Sequence, residues 1–358
     1  MKDSTFWLKT FECPDCHHPI HSAGSDPDTR RCSHCMRLFK RIDGIWDLLP
    51  VSVSNKMLKD REKDGWFQKE HQSKLKGWDP PPEHYLALPN HPHPYYQAAA
   101  WYMRIVLAHG APWSGKKVLE LGAAECWGCR VFAEQGADAA ALDYDPTRMK
   151  KGQILLDRLP IGFSRLTGDA ENLPIADDSL DVVYCCSVLH HFFDLPRAIA
   201  EIARVLKPGG IFYGIHEAYH PPYYKSDKIR AMSEDTIPNI ELGINESSYP
   251  LSQYRRWFRK TGMRFDALHP RWDTKVDGDT LTVNPGIGIY HNSDFRPVSL
   301  TARTSIPGTV GRLARLILRS HLWKIAVHPS IFPLIRFHIL NWTVKDKIIV
   351  AKKPNESI

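Results

Sequence analysis

No apolar run in these 358 residues reaches the roughly 18 that a membrane-spanning helix needs, which argues for a soluble chain. The opening residues, MKDSTFWLKTFECPDC, lack an apolar stretch followed by a small-residue cleavage site, so no secretory signal is expected. In the reducing cytoplasm that this implies, the eight cysteines read as ligands or core thiols before disulfides. Internal repeats and low-complexity tracts are missing too, which argues against a solenoid or a long disordered arm. Acidic residues are absent between Phe295 and Lys345, where eight Lys or Arg stand. Since the net charge is +7, the remainder carries about −1, and a nearly neutral body argues against a broad surface for gripping long nucleic acid.

What is present is an ordinary globular composition, 43% hydrophobic and 24% charged, in a chain longer than the roughly 100–200 residues of one domain. Residues 10–50 are rich in Cys, His and Arg and end in the apolar run GIWDLLP, so residues 1–50 read as a small self-contained module. Residues 51–96 read as a charged helical segment followed by DPPPEHYLALPNHPHPYY. The six prolines there predict an extended linker or lid. A helix is expected to restart at Gln97 and stop at Gly110.

From Lys117 onward, β-branched runs alternate with helical stretches, the rhythm of a parallel α/β sheet. KVLELG, DAAALDYD, FSRLTGD, LDVVYCCS, GIFYGIHE, RFDALHP and DKIIVAKK predict seven strands within residues 97–358. Residues 271–343 form a basic insertion before the last.

Cys13-Pro-Asp-Cys16 and Cys32-Ser-His-Cys35 are two CxxC pairs with fifteen residues between them, a spacing that lets two turns donate four thiolates to one tetrahedral zinc. Such a closed shell is structural, with no open position for catalysis. The run from Cys13 through RCSHCMRLFKRIDGIWDLLP resembles the small zinc ribbons attached to, or partnered with, methyltransferases, including the N-terminal ribbon of ribosomal RNA guanine methyltransferases.

After KVLEL, the segment Glu120-Leu-Gly122-Ala-Ala124-Glu-Cys126 turns from strand towards helix, where small residues let backbone approach a ligand closely. The glycines of a dinucleotide fingerprint are replaced by Ala124 and Cys126, which disfavours a pyrophosphate ligand. Asp143, 21 residues after Gly122, is placed to accept from ribose hydroxyls. Asp169 could accept from an adenine amino group, with Ala170 offering a backbone donor. Residues 117–217 resemble class I methyltransferases of the quinone and small-molecule group, in VLELG, ALDYDP, GDAENLPIADDSLDVVYCCSVLHHFFD and EIARVLKPGG. The resemblance implies a Rossmann-like seven-stranded sheet binding S-adenosylmethionine through Glu120, Gly122, Ala124, Asp143, Asp169 and Ala170, with Ser187 opening the loop that faces the methyl group.

His190 and His191 follow the fourth strand, where a neutral imidazole could act as general base. His216 and Glu217, after the fifth strand, are a second candidate pair. Cys126, Cys129, Cys185 and Cys186 have no ligand spacing and read as buried hydrophobes. Gly243–Tyr249 resembles a stretch of ribbon-bearing methyltransferases that accompany glycan genes, and is a candidate acceptor-side wall. Within residues 309–327, Arg312, Arg315 and Arg319 share one helical face that could lie on an anionic membrane, packing on the catalytic domain being the alternative.

The expected function is therefore methyl transfer from S-adenosylmethionine to oxygen or nitrogen of a small-molecule, saccharide or lipid-linked acceptor, in the cytoplasm or at the inner membrane face. An RNA base methyltransferase is the alternative, with Arg30, Arg31, Arg37, Lys40 and Arg41 of the ribbon meeting phosphates. A non-catalytic ribbon scaffold is a third reading.

Overall fold

A computed structural model of the chain describes residues 5–51, 80–220, 222, 245–268, 274–277, 280–283, 337, 341 and 347–355. Helix α1 (Thr5–Thr10) leads into four short antiparallel strands, β1 (Ile20–Ser22), β2 (Thr29–Cys32), β3 (Leu38–Ile42) and β4 (Ile45–Asp47). Two helices follow, α2 (Pro82–Ala87) and α3 (Pro94–Gly110). The αβ alternation then runs β5 (Lys117–Leu121), α4 (Trp127–Glu134), β6 (Asp138–Asp143), α5 (Pro146–Met149), α6 (Gly152–Arg158), β7 (Phe163–Thr167), β8 (Leu180–Cys186), α7 (Leu195–Val205) and β9 (Leu206–Ile215). Helix α8 (Leu251–Lys260), β10 (Arg264–Leu268), β11 (Thr274–Asp277), β12 (Thr280–Val283) and β13 (Ile348–Lys352) complete the described elements.

Seven strands run in the order β7-β6-β5-β8-β9-β13-β10, all in one direction except β13, which is antiparallel to both its neighbours. Their side chains alternate between two cores. Ala140, Leu142, Val183 and Cys185 face one, while Ala139, Ala141, Val182 and Tyr184 face the other, as the two-residue period of a strand requires. The direction of winding reverses at β5, so its carboxyl end is the topological switch point where ligands of open α/β sheets bind.

Two expectations need correction. The N-terminal segment is not self-contained, because β4 pairs in parallel with β7 through Trp46↔Leu166 and Asp47↔Thr167 and extends the sheet to eleven strands. The open edge of β7 offers unpaired N–H and C=O groups, and the apolar residues of β4 need cover. Trp7, Phe11, Phe39, Trp46 and Leu48 thus share a core with Leu142, Leu166, Leu173 and Ile175. Arg165, fully buried on β7, donates to the carbonyls of Met149 (3.1 Å) and Asp43 (3.2 Å) and to Gln153, which fastens the β3–β4 turn to the sheet.

The second correction concerns the proline-rich stretch. It contains helix α2, and α3 starts at Pro94 rather than Gln97, with the His93 side chain accepting from Tyr95 N. Proline is tolerated in a helix's first turn because no intrahelical partner awaits its missing N–H. The charged segment at 52–79 and the helix carrying Arg312, Arg315 and Arg319 lie outside the described residues. Of the insertion, the hairpin β11–β12 is described. Among the described residues no helix is long and apolar enough to cross a membrane.

Candidate cofactor and acceptor site

The turn that leaves β5 is forced into left-handed backbone. Gly122 has φ +61°, and a Cβ there would lie 2.4 Å from Val188 Cγ2, so only glycine fits. Ala124 at +43° and Cys126 at +63° adopt the same region, although each bears a side chain. The replaced glycines therefore left the loop geometry intact, at a cost of about 1–2 kcal/mol per residue in backbone strain.

Asp143, at the end of β6, holds this shape. Its Oδ2 accepts from Ala124 N and its Oδ1 from Asp145 N, both at 2.9 Å, while burial raises its pKa to about 6. Glu125 and Arg148 form a bidentate pair across the turn, with contacts of 2.8–3.0 Å. Glu120 is buried. Its carboxylate lies beneath the start of α4, accepts from Cys129 N at 2.8 Å, and its pKa is pushed up to about 8 by burial.

The loop after β7 brings Asp169 and buried Ala170 to the same edge, and Asp169 Oδ1 accepts from Glu171 N at 2.7 Å. Burial raises the pKa of Asp169. Arg204 of α7 donates to the carbonyls of Leu173 and Ile175, and Glu201 accepts from Leu173 N, so the loop is fixed from behind. From the front it is fixed by the first CxxC turn. Asn172 donates to Pro14 O at 2.6 Å and meets His17 Nε2 at 2.9 Å.

Cys13, Cys16, Cys32 and Cys35 converge, with Sγ–Sγ separations of 3.6 Å (Cys13–Cys35) and 3.4 Å (Cys16–Cys32), close to the roughly 3.8 Å edge of a four-thiolate zinc tetrahedron. The N–H groups of His34 and Cys35 point at Cys32 Sγ, each at 3.4 Å. Beside this turn and Asn172 lies an open cleft lined by His17, Arg37 and Arg197.

The loop after β8 carries the candidate catalytic residues. Ser187, at φ +55°, donates to His216 O and meets His216 Nδ1 at 2.9 Å, and the His216 ring lies 4.6 Å from that of Tyr95 on α3. His216 follows β9 in left-handed backbone, at φ +56°. Glu217 meets His190 Nδ1 at 3.0 Å while accepting from the N–H groups of Val188 and Leu189. Burial opposes both charges, yet their mutual attraction wins, raising the pKa of His190 and lowering that of Glu217. Burial, then the neighbouring His190, lower that of His191. Glu246 approaches His190 Nε2 and His191 Nδ1, each at 3.9 Å. The sequence pointed to its segment without singling it out.

Residues 119–214 match the family model described as "Methyltransferase domain". The central sheet has the Rossmann-like fold of class I methyltransferases. Over 127 residues the chain is 35% identical to demethylmenaquinone methyltransferase of Renibacterium salmoninarum, covering 36% of this chain and 51% of that protein. Over 99 residues it is 38% identical to phthiotriol/phenolphthiotriol dimycocerosates methyltransferase of Mycobacterium leprae, covering 27% and 36%. Thus the chain spans about half or less of the length of these relatives. An S-adenosylmethionine-dependent methyltransferase from Mesorhizobium loti aligns with a TM-score of 0.42 at 15% identity, over 72% of this chain and 99% of that one.

The strained turn makes a direct prediction. Ala124→Gly should stabilise the protein by about 0.5–1 kcal/mol in chemical denaturation, because relief of left-handed strain exceeds the added entropy of the unfolded chain. Ala123→Gly, one residue earlier and buried, should destabilise it. Equal destabilisation by both would show that residue 124 is not strained.

Proposed function

We propose that this chain transfers a methyl group from S-adenosylmethionine to oxygen or nitrogen of a small-molecule, saccharide or lipid-linked acceptor. The observation that carries this reading is the left-handed turn from Gly122 to Cys126, held open by Asp143 at the switch point of the sheet. Asp143 and the turn's backbone hold the ribose and methionine portions, while Asp169 and the Ala170 backbone hold the adenine. When bound, the cofactor supplies an electrophilic methyl on a sulfonium. The chain's own task is then to fix the acceptor in line and ease the loss of its proton. His190, oriented by Glu217, and its neighbour His191 serve that end, with Ser187 shaping the loop between them and the turn. Relatives named for demethylmenaquinone and for phthiotriol/phenolphthiotriol dimycocerosates support a small or lipid acceptor.

No observation favours RNA. Arg37 is paired with Asp15 and stacked on Phe39, Arg41 is paired with Asp28, and both Arg30 and Arg41 lie over Trp46, which leaves Arg31 and Lys40 as the exposed cations of the set. The scaffold reading does not explain why four separate loops at one sheet edge keep their charged groups in fixed geometry.

Isothermal titration with S-adenosylmethionine tests the reading. Wild type should bind, and Asp143→Ala should weaken binding by about 1.5–3 kcal/mol through lost charge-assisted hydrogen bonds. Absence of binding by folded wild type would refute it.

We also assign one structural zinc to Cys13, Cys16, Cys32 and Cys35. Because the ribbon shares the core of the main sheet and touches Asn172, chelation should lower the melting temperature of the whole protein in one transition and weaken S-adenosylmethionine binding. Zinc-free protein with unchanged melting and affinity would contradict the assignment.

A further inference from the structure

His190, His191 and Glu246 present donor atoms that all lie within 4.8 Å of one another, beside the loop that touches Gly122 through Val188. We propose that these three residues bind a divalent transition-metal cation, which holds an acceptor bearing adjacent oxygen atoms against the methyl group. This rests on the methyltransferase reading above and specifies how the two histidines serve it.

Two imidazoles and one carboxylate suit a borderline first-row cation better than Mg²⁺ or Ca²⁺, which favour all-oxygen shells. The arrangement around the triad is that of a built site. Glu217, whose side chain is completely buried, meets His190 Nδ1 at 3.0 Å and so directs the free Nε2 lone pair towards Glu246. A carboxylate behind a histidine is the usual outer partner of a metal ligand, fixing its tautomer and raising its basicity. The residues on either side of Glu246 are anchored to the histidine loop. Asn245 Nδ2 donates to the carbonyls of His190 and Phe192, and Ser247 donates to His190 O through both its N (2.9 Å) and its Oγ (3.0 Å).

His191 Nδ1 donates to the Asn245 carbonyl at 3.0 Å, which fixes the imidazole and leaves its Nε2 lone pair for the ion. Glu246 lies 3.9 Å from His190 Nε2 and the three donor atoms lie within 4.8 Å of one another, so an ion between them asks for only a small movement of each. His191 is 40% exposed at its side chain, which leaves an entry path and open coordination positions for two oxygens of an acceptor. Vicinal hydroxyls of a saccharide or a catechol-like ring have that chemistry.

The test uses the full-length, zinc-loaded protein and Mn²⁺ alone as probe, read by electron paramagnetic resonance. Wild type should bind one Mn²⁺, with the dissociation constant raised more than about tenfold in Glu246→Gln and in His191→Asn. Circular dichroism and S-adenosylmethionine titration on the same samples report folding and cofactor binding separately. Absence of Mn²⁺ binding, or binding unaltered in both folded variants, would overturn the metal site while leaving the cofactor reading standing. Loss of cofactor binding in wild type would refute the latter alone.

Discussion

Asp143 accepts one N–H from the turn after β5 and one from the turn after β6, and the carboxyl edge of the sheet takes its shape from this buried bridge. A carboxylate in that position replaces the intrahelical partners that neither turn has. It lets Ala124 and Cys126 remain in backbone that would otherwise select glycine. Gly122 completes the arrangement, because Val188 fills the space a Cβ would need and so packs the acceptor loop directly on the cofactor turn. The proposed donor and acceptor sides therefore meet at a glycine.

The ribbon is coupled to this edge through a short chain of contacts. The first CxxC turn reaches Asn172, whose N–H is bonded to Asp169 O at 3.0 Å, and Asp169 is the acid proposed above for adenine. On its other side the ribbon continues the sheet through β4 and buries Trp46. Under the proposed zinc assignment, the metal would brace the Asp169–Asn172 loop as well as its own strands.

Much of this was legible in the chain. Runs such as VLEL and LDVVYCC declare strands by composition, the CxxC pairs declare a four-sulfur cluster by spacing, and Asp143 and Asp169 follow their strands at the expected places. What stayed hidden depends on distant partners. The three residues of β4 carry no local mark of pairing with a strand about 120 residues away. Glu120 looks like a ligand residue in sequence, but its burial under α4 follows from Gly128, where a Cβ would lie 2.2 Å from its Oε1. Glu217 sits beside His216 in sequence and serves His190 in space, and α3 begins at a proline that composition alone reads as a breaker.

The central claim is that the edge formed by Gly122, Ala124, Asp143, Asp169 and Ala170 binds S-adenosylmethionine. The most direct test is an amide-resolved NMR titration of the labelled protein with S-adenosylhomocysteine. The account predicts saturable shifts at Gly122, Ala124, Asp145, Ala170 and Glu171, with smaller ones at Asn172. Shifts confined to the cleft between Arg37 and Arg197, or absent from the 122–126 turn, would contradict it.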